Sequence, residues 1–184
     1  YFIDEKDVQQ LLMKATKSSI KGQPVALFNL SQLEQTLEQN KWINDAELYF
    51  DNKDVLHVTI TEKEPIARIF TSEGNSFYID SAGEKMPLSD KLSARVPVFT
   101  SFPNETTEAR AKDSLLQQQV KEVGKYILKN NFWMAQVDQV NIHNYEFVLT
   151  PKLGRHTILL GSANMLPQKF NRLMLFYKNI MSKT

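Results

Sequence analysis

The sequence predicts an α+β protein in two units, and three observations support this. Apolar residues recur at helical spacing near both ends of the chain, in 4–17 and in 167–181. Between them, several short segments alternate apolar and polar residues, as half-buried strands do. Pro65 ends one such segment, and proline lacks the N–H donor that a central strand requires. The 184 residues therefore suit two small units that meet near Pro65.

The first unit is predicted to run helix, helix, strand, strand. The first helix covers 4–17, and Lys21-Gly22-Gln23-Pro24 ends it. The second helix begins at a capping box, with Ser31 as N-cap and Glu34 reaching back to it. A change to alternating residues from Ile43 onward then predicts a hairpin around the turn residues 51–54.

The second unit is predicted to contain short strands and two helices. We expect segment 86–96 to be irregular, 96–99 to be an apolar stop, and 101–107 to be a loop. The predicted strands are 66–70, 76–80, 136–142, 145–151 and 155–161, and the predicted helices are 108–130 and 167–181. Tight turns are expected at 72–75 and at 80–83, the latter closed by Gly83.

Composition excludes several classes of function. The chain has no cysteine, which rules out thiol catalysis, disulfide scaffolds and cysteine-bound zinc. A formal net charge of +1 disfavours nucleic-acid binding through a broad basic face. No apolar run approaches the roughly 20 residues that span a bilayer.

No catalytic, cofactor or metal motif is found. The six glycines are scattered, so no glycine-rich loop can hold a phosphate. His57 is expected on the solvent side of a strand; His143 and His156 are expected at strand ends, and a metal pair across a hairpin stays open for these two. The carboxylate pairs that we considered for acid–base chemistry, and interpret as solvated charges, are Glu62/Glu64 and Glu105/Glu108.

Five aromatic residues invite a second hypothesis, that they stack against a ligand. They are Trp42, Phe77, Tyr78, Phe132 and Trp133. Aromatic residues at the ends of strands and helices are more often packed into the core. A binding role requires several of them to converge on one exposed face.

The order of motifs resembles the FtsQ/DivIB family of bacterial cell-division proteins. Residues 40–48 (Asn-Lys-Trp-Ile, then Asp-Ala-Glu-Leu) and 55–67 (ending in Glu-Lys-Glu-Pro-Ile-Ala) resemble the family's first domain, a POTRA domain with βααββ order. Residues 77–83 (Phe-Tyr-Ile-Asp-Ser-Ala-Gly) and 95–99 (Arg-Val-Pro-Val-Phe) resemble its second domain, a mixed β-sheet domain with two helices. The residues that define the fold under this resemblance are Trp42, Pro65 and Gly83.

The resemblance implies domains at 1–65 and 66–184. It implies that residues 1–3 are the tail of a first strand and that the second domain lacks its last strand. It also places the chain in the periplasm, as part of a single-pass inner-membrane protein anchored upstream of Tyr1.

The function implied is that of a non-enzymatic scaffold at the division septum, without cofactor or small-molecule substrate. Its partners would be division proteins of the FtsB and FtsL type and, through them, the septal peptidoglycan synthase, docked by β-strand addition and surface contacts. With the last strand missing, the part of the partner interface still present would be Thr157, Ile158, Leu159 and Leu160. The alternative is that these four are ordinary residues of the sheet.

Two other functions remain open from the residues alone. One is a POTRA-containing module for outer-membrane protein assembly, although no second copy of the helix–helix–hairpin pattern follows Pro65. The other is an enzyme or binding domain of the cell wall, which needs clustered carboxylates or exposed aromatic residues.

Overall fold

The computed structural model describes residues 1–16, 20–103 and 110–179, with only the backbone given for 110–112. The chain folds into two compact units. The first is Tyr1–Glu64 together with Met86–Ala94, and the second is Pro65–Lys85 together with Arg95–Thr184. The chain therefore passes from the second unit back to the first at Met86 and returns at Arg95.

The first unit contains two helices and a two-stranded antiparallel sheet. Its elements are α1 (Glu5–Thr16), a 3-10 turn (Val25–Leu27), α2 (Leu30–Glu38), β1 (Ile43–Phe50) and β2 (Leu56–Glu62). Each helix turns an apolar face to the sheet, which buries Leu12, Leu33 and Leu37 against Ile43 and Leu48. No strand is found at 1–3; Phe2 and Ile3 are buried instead, and the Ile3 N–H donates to Glu62 Oε1 at 2.9 Å.

The predicted capping box of α2 is wrong. The N-cap is Asn29, whose side-chain oxygen accepts the Gln32 N–H at 3.2 Å, so the helix begins before Ser31. Glu34 does not reach back to the cap but accepts the Leu48 N–H of β1 at 2.8 Å. Asn29 fits the N-cap role equally well, because its short side chain also reaches the first-turn amides.

The second unit contains a seven-stranded mixed sheet with three helices. Its elements are β3 (Pro65–Thr71), β4 (Ser76–Asp80), β5 (Lys85–Met86), β6 (Val98–Phe102), α3 (Arg110–Leu128), α4 (Asn131–Gln136), β7 (Val137–His143), β8 (Glu146–Pro151), β9 (Ile158–Gly161) and α5 (Leu166–Asn179). The strands lie in the order β5-β4-β3-β6-β7-β8-β9. Because β6 is parallel to both β3 and β7, while β3–β4, β7–β8 and β8–β9 are antiparallel, the sheet is mixed. The predicted α+β class is confirmed.

The core of the second unit lies between the sheet and the helices. It joins Ile69, Phe99 and Val140 of three neighbouring strands to Val120 of α3 and Phe170 of α5, all completely buried. Gly124 allows α3 to approach closely, since a Cβ there would lie 3.1 Å from the Ile66 carbonyl oxygen.

Several segments differ from their predictions. The strand predicted at 155–161 begins only at Ile158, and the two-residue strand β5 was not predicted. Residues 98–102 were expected to be a stop followed by a loop, but they form β6, which lies between β3 and β7. The six-residue helix α4 was not predicted at all; its N-cap, Asn130, accepts the Phe132 and Trp133 amides. Helix α4 is too short to show helical periodicity, and Pro97 directly before β6 disfavours a strand at that position.

Within the described residues, no helix is both long and apolar enough to cross a bilayer. The start predicted for α3 at Glu108 and the end predicted for α5 at Met181 lie outside the described residues.

Candidate functional site: the edge strand β9

One end of the seven-stranded sheet is formed by β9. The strand pairs with β8 on one side, and among the described residues no strand lies on its other side. A strand at an edge presents backbone N–H and C=O groups that a further strand can bind. The opposite end of the sheet is β5, which is only two residues long. The longer free edge of this sheet is therefore β9.

The four predicted interface residues occupy different environments. Thr157 lies just before β9 and is exposed, and Ile158 is half-buried against the core. Leu159 points to solvent and is 82% exposed, whereas Leu160 is buried in the core. This is the alternation of a strand with one covered face. Leu159 is the member of the set that offers an apolar side chain to a partner.

The position of β9 is fixed by its neighbour. Leu159 pairs with Val148 and Ile158 with Leu149, so the strand is held against a completely buried residue of β8. Gly161 ends the strand with a φ of +70°, in the left-handed region that glycine tolerates. The turn displaces the chain from the sheet before α5 begins.

Aromatic side chains hold the segment that enters β9. His156 Nε2 lies 2.8 Å from the hydroxyl oxygen of Tyr177 in α5, and the His156 ring lies 6.0 Å from that of Phe176. Tyr177 also contacts Phe132 and Trp133 of α4, with ring centroids 5.9 Å and 6.0 Å away. Sequence reasoning missed this cluster; the aromatic pairs 132–133 and 176–177 were its available signal.

The five aromatic residues considered as a ligand-stacking site serve mainly to pack the protein interior. Trp133 and Tyr78 are nearly fully buried, and Trp42 and Phe77 are half-buried. Phe132 is the most exposed of the five aromatic residues considered. The ligand-stacking hypothesis is therefore not supported by a common exposed face.

The histidines have separate partners. His143 Nε2 lies 3.3 Å from the side-chain nitrogen of Asn144, whereas His156 contacts Tyr177. Within the part of the chain that the structure describes, no group of three or more metal-binding side chains occurs. The two histidines considered as a metal-binding pair, His143 and His156, therefore each contact a different residue.

His57 lies on the exposed face of the β1–β2 hairpin, stacked on Tyr49 with ring centroids 4.8 Å apart. Its Nε2 is 3.0 Å from Asp51 Oδ2, and this hydrogen bond lowers the pKa of Asp51, with further contributions from the amides of Val55 and Lys53. These contacts of His57 stabilise the turn between β1 and β2.

Of the carboxylate pairs considered, Glu105/Glu108 lies outside the described residues.

The residues expected to define the fold have distinct roles. The Trp42 indole N–H donates to the Pro87 carbonyl at 3.3 Å, and Pro65 opens β3 opposite Asp80. Gly83 has a φ of +90° and closes a turn in which Asp80 Oδ1 accepts two backbone amides. None of the three contributes to the β9 edge.

The first unit carries an apolar groove between α1 and β2, of about 970 Å³. Val8 and Leu12 line one side of it, and the half-buried row Leu56, Val58 and Ile60 lines the other. The sheet has only β1 and β2 among the described residues, so the groove lies along an uncovered edge of β2.

Comparison with protein families assigns both parts of the chain. Residues 1–61 match the POTRA-like domain, and residues 64–184 match a family described as FtsQ/DivIB, C-terminal related. No curated protein matches the chain. Proteins of the matched family are generally non-catalytic and related to cell division. Since the second match covers well over half of the sequence, the chain belongs to the FtsQ/DivIB C-terminal-related family and carries a POTRA-like domain before that region.

Proposed function

We propose that this chain is a non-enzymatic scaffold of the bacterial division machinery. It acts outside the cytoplasm, as the periplasmic part of a single-pass inner-membrane protein. Its partners are division proteins of the FtsB and FtsL type and, through them, the septal peptidoglycan synthase. Family membership supports the class of partner.

The docking mechanism is strand addition at β9. A partner strand beside β9 would form hydrogen bonds with the outward-facing backbone N–H and C=O groups of β9. Among the described residues, no strand lies on that side. The observation that carries this proposal is the 82% exposure of Leu159 on that edge. An exposed apolar side chain on a free edge favours association, and monomeric proteins commonly place charges there instead.

A matched pair of substitutions tests the edge. Leu159→Lys places a charge on β9, whereas Leu115→Lys places the same charge on α3 at another leucine of the second unit that is 62% exposed. The immobilised bait is the extracytoplasmic FtsB–FtsL-type heterodimer of the same bacterium. We expect Leu159→Lys to weaken capture about tenfold or more and Leu115→Lys to leave it unchanged.

Circular dichroism and thermal unfolding of both variants check that each remains folded. Equal capture of the wild type and Leu159→Lys would refute docking at β9. Loss of capture in both variants would point to a general effect of added charge rather than to the edge.

A further inference from the structure

The charges of this chain are unevenly distributed. Residues 147–184 contain six lysines and arginines and no aspartate or glutamate, whereas residues 1–146 contain 16 basic and 21 acidic residues. The near-neutral total therefore conceals a basic segment that includes most of β8, all of β9 and α5. A region of one sign attracts partners of the other sign and repels like-charged ones.

The basic side chains lie at both ends of β9. Lys152 and Arg155 are exposed in the connection from β8, just before the strand. At the other end, Lys169 Nζ donates to the Ser162 carbonyl at 2.8 Å, next to the residue that ends β9. Arg172 is exposed one turn further along α5.

These cations are not neutralised within the described part of the chain. Lys152, Arg155, Lys169 and Arg172 form no ion pair there with an acidic side chain. The free edge of a strand is thus bracketed by positive charge, with exposed Leu159 between the two ends.

We infer that the partner segment that adds to β9 is an extended peptide with apolar residues at its centre and acidic residues at its ends. The inference rests on the proposed strand addition and specifies the chemistry of the partner. Leu159 on one face and half-buried Ile158 on the other call for apolar residues on both faces of the added strand. The cations at the two ends of β9 complement acidic residues at the peptide termini.

A peptide fits this surface better than an anionic membrane does. A lipid headgroup can pair with the cations, but it supplies no alternating N–H and C=O groups to the edge of β9. Lys152 and Arg155 also lie in the connection between two strands rather than on a helix, whereas surface-binding helices carry their basic and apolar residues along one helical face.

Two labelled peptides serve as probes for fluorescence anisotropy with the full chain. One is acetyl-Glu-Glu-Val-Thr-Ile-Thr-Val-Glu-Glu-amide, and the other has lysines in place of the glutamates. We expect the glutamate peptide to bind at least about tenfold more tightly at low salt. Raising the salt to about 0.5 M should shrink this difference, because the screening length falls to a few ångströms.

Charge reversal tests the residues named. In the triple variant Lys152→Glu, Arg155→Glu and Arg172→Glu, the preference between the two peptides should invert. The control Lys53→Glu changes an exposed lysine of the β1–β2 turn and should leave the preference intact. The same comparison is made with vesicles of phosphatidylglycerol and phosphatidylcholine.

The outcomes separate the two proposals. Equal binding of both peptides at low salt would overturn the acidic-partner inference while leaving strand addition in place. If Leu159→Ala, which removes the exposed apolar side chain and adds no charge, binds the glutamate peptide as the wild type does, docking at β9 itself fails. Charge-dependent binding to the vesicles without a preference between the peptides would overturn the inference in favour of a membrane surface.

Discussion

At the scale of single residues, polar contacts hold the Met86–Ala94 segment within the first unit. Lys91 Nζ contacts the carboxylates of both Asp4 and Asp7 at the beginning of α1. The hydrogen bond from Lys91, followed by that from the Asp7 amide, lowers the pKa of Asp4 from 3.8 to about 2, and the contact raises the pKa of Lys91.

This contact predicts a change that titration can measure. In Lys91→Met, the pKa of Asp4 should rise from about 2 toward its ordinary value of 3.8, because its main hydrogen-bond donor is removed. Carbon-detected NMR of the aspartate carboxyl groups measures this directly. Lys53→Met is the matched control and should leave Asp4 unchanged.

The sign of the pH dependence follows from the lowered pKa. The contribution of Asp4 to stability is present above its unfolded-state pKa and is lost as the pH falls toward about 2. A pKa of Asp4 that is the same in Lys91→Met and in the wild type would contradict the assigned role of Lys91.

At the scale of elements, the close approach of α3 to β3 depends on Gly124. Gly124→Val should lower the free energy of unfolding, because its side chain would be forced against the Ile66 carbonyl oxygen and Ala67 Cβ, which lie 3.1 Å and 3.3 Å from the position of a Cβ. Leu115→Val on the exposed side of α3 introduces the same β-branched residue where it stays in solvent. Helix propensity alone would make Gly124→Val stabilising, because glycine is a poorer helix former than valine. We expect Gly124→Val to cost about 2 kcal/mol more than this control in urea denaturation.

Similar unfolding free energies for these two valine variants would mean that α3 shifts at no cost. The contact with β3 would then not fix the position of the helix.

Most helices and strands were predictable from sequence, but β5, β6 and α4 were not. Helices α1, α2, α3 and α5 and the β1–β2 hairpin were anticipated because their apolar spacing continues over several helical turns or strand pairs. β6 was missed because Pro97 precedes it and Ser101 within it has a φ of +60°, so its five residues do not read as a regular strand. The β9 edge was proposed through family resemblance; the exposure of Leu159 and the aromatic support from α4 and α5 required the fold.

At the scale of the whole molecule, the two units have separate cores. Leu37→Ala removes a completely buried side chain from the first core and should destabilise that unit by about 3 kcal/mol. Hydrogen exchange should show about a hundredfold loss of protection in β1 and β2, with β6 and β7 unchanged. The reciprocal variant Val120→Ala should affect β6 and β7 instead.

A uniform loss of protection across both sheets in either variant would show that the units unfold as one. That result would remove the physical basis of the predicted domains at 1–65 and 66–184.

The central position of β6 has a consequence for the rate of folding. Strands β3–β5 and β7–β9 each follow one another in the chain, so each group can form by closing short loops. β6 joins the two groups through parallel pairing on both sides, and the connection from β6 to β7 contains the 19 residues of α3. Pairing of β6 therefore requires the chain to close its longest loops within this sheet. We expect the insertion of β6 to be the slow step in forming the complete sheet.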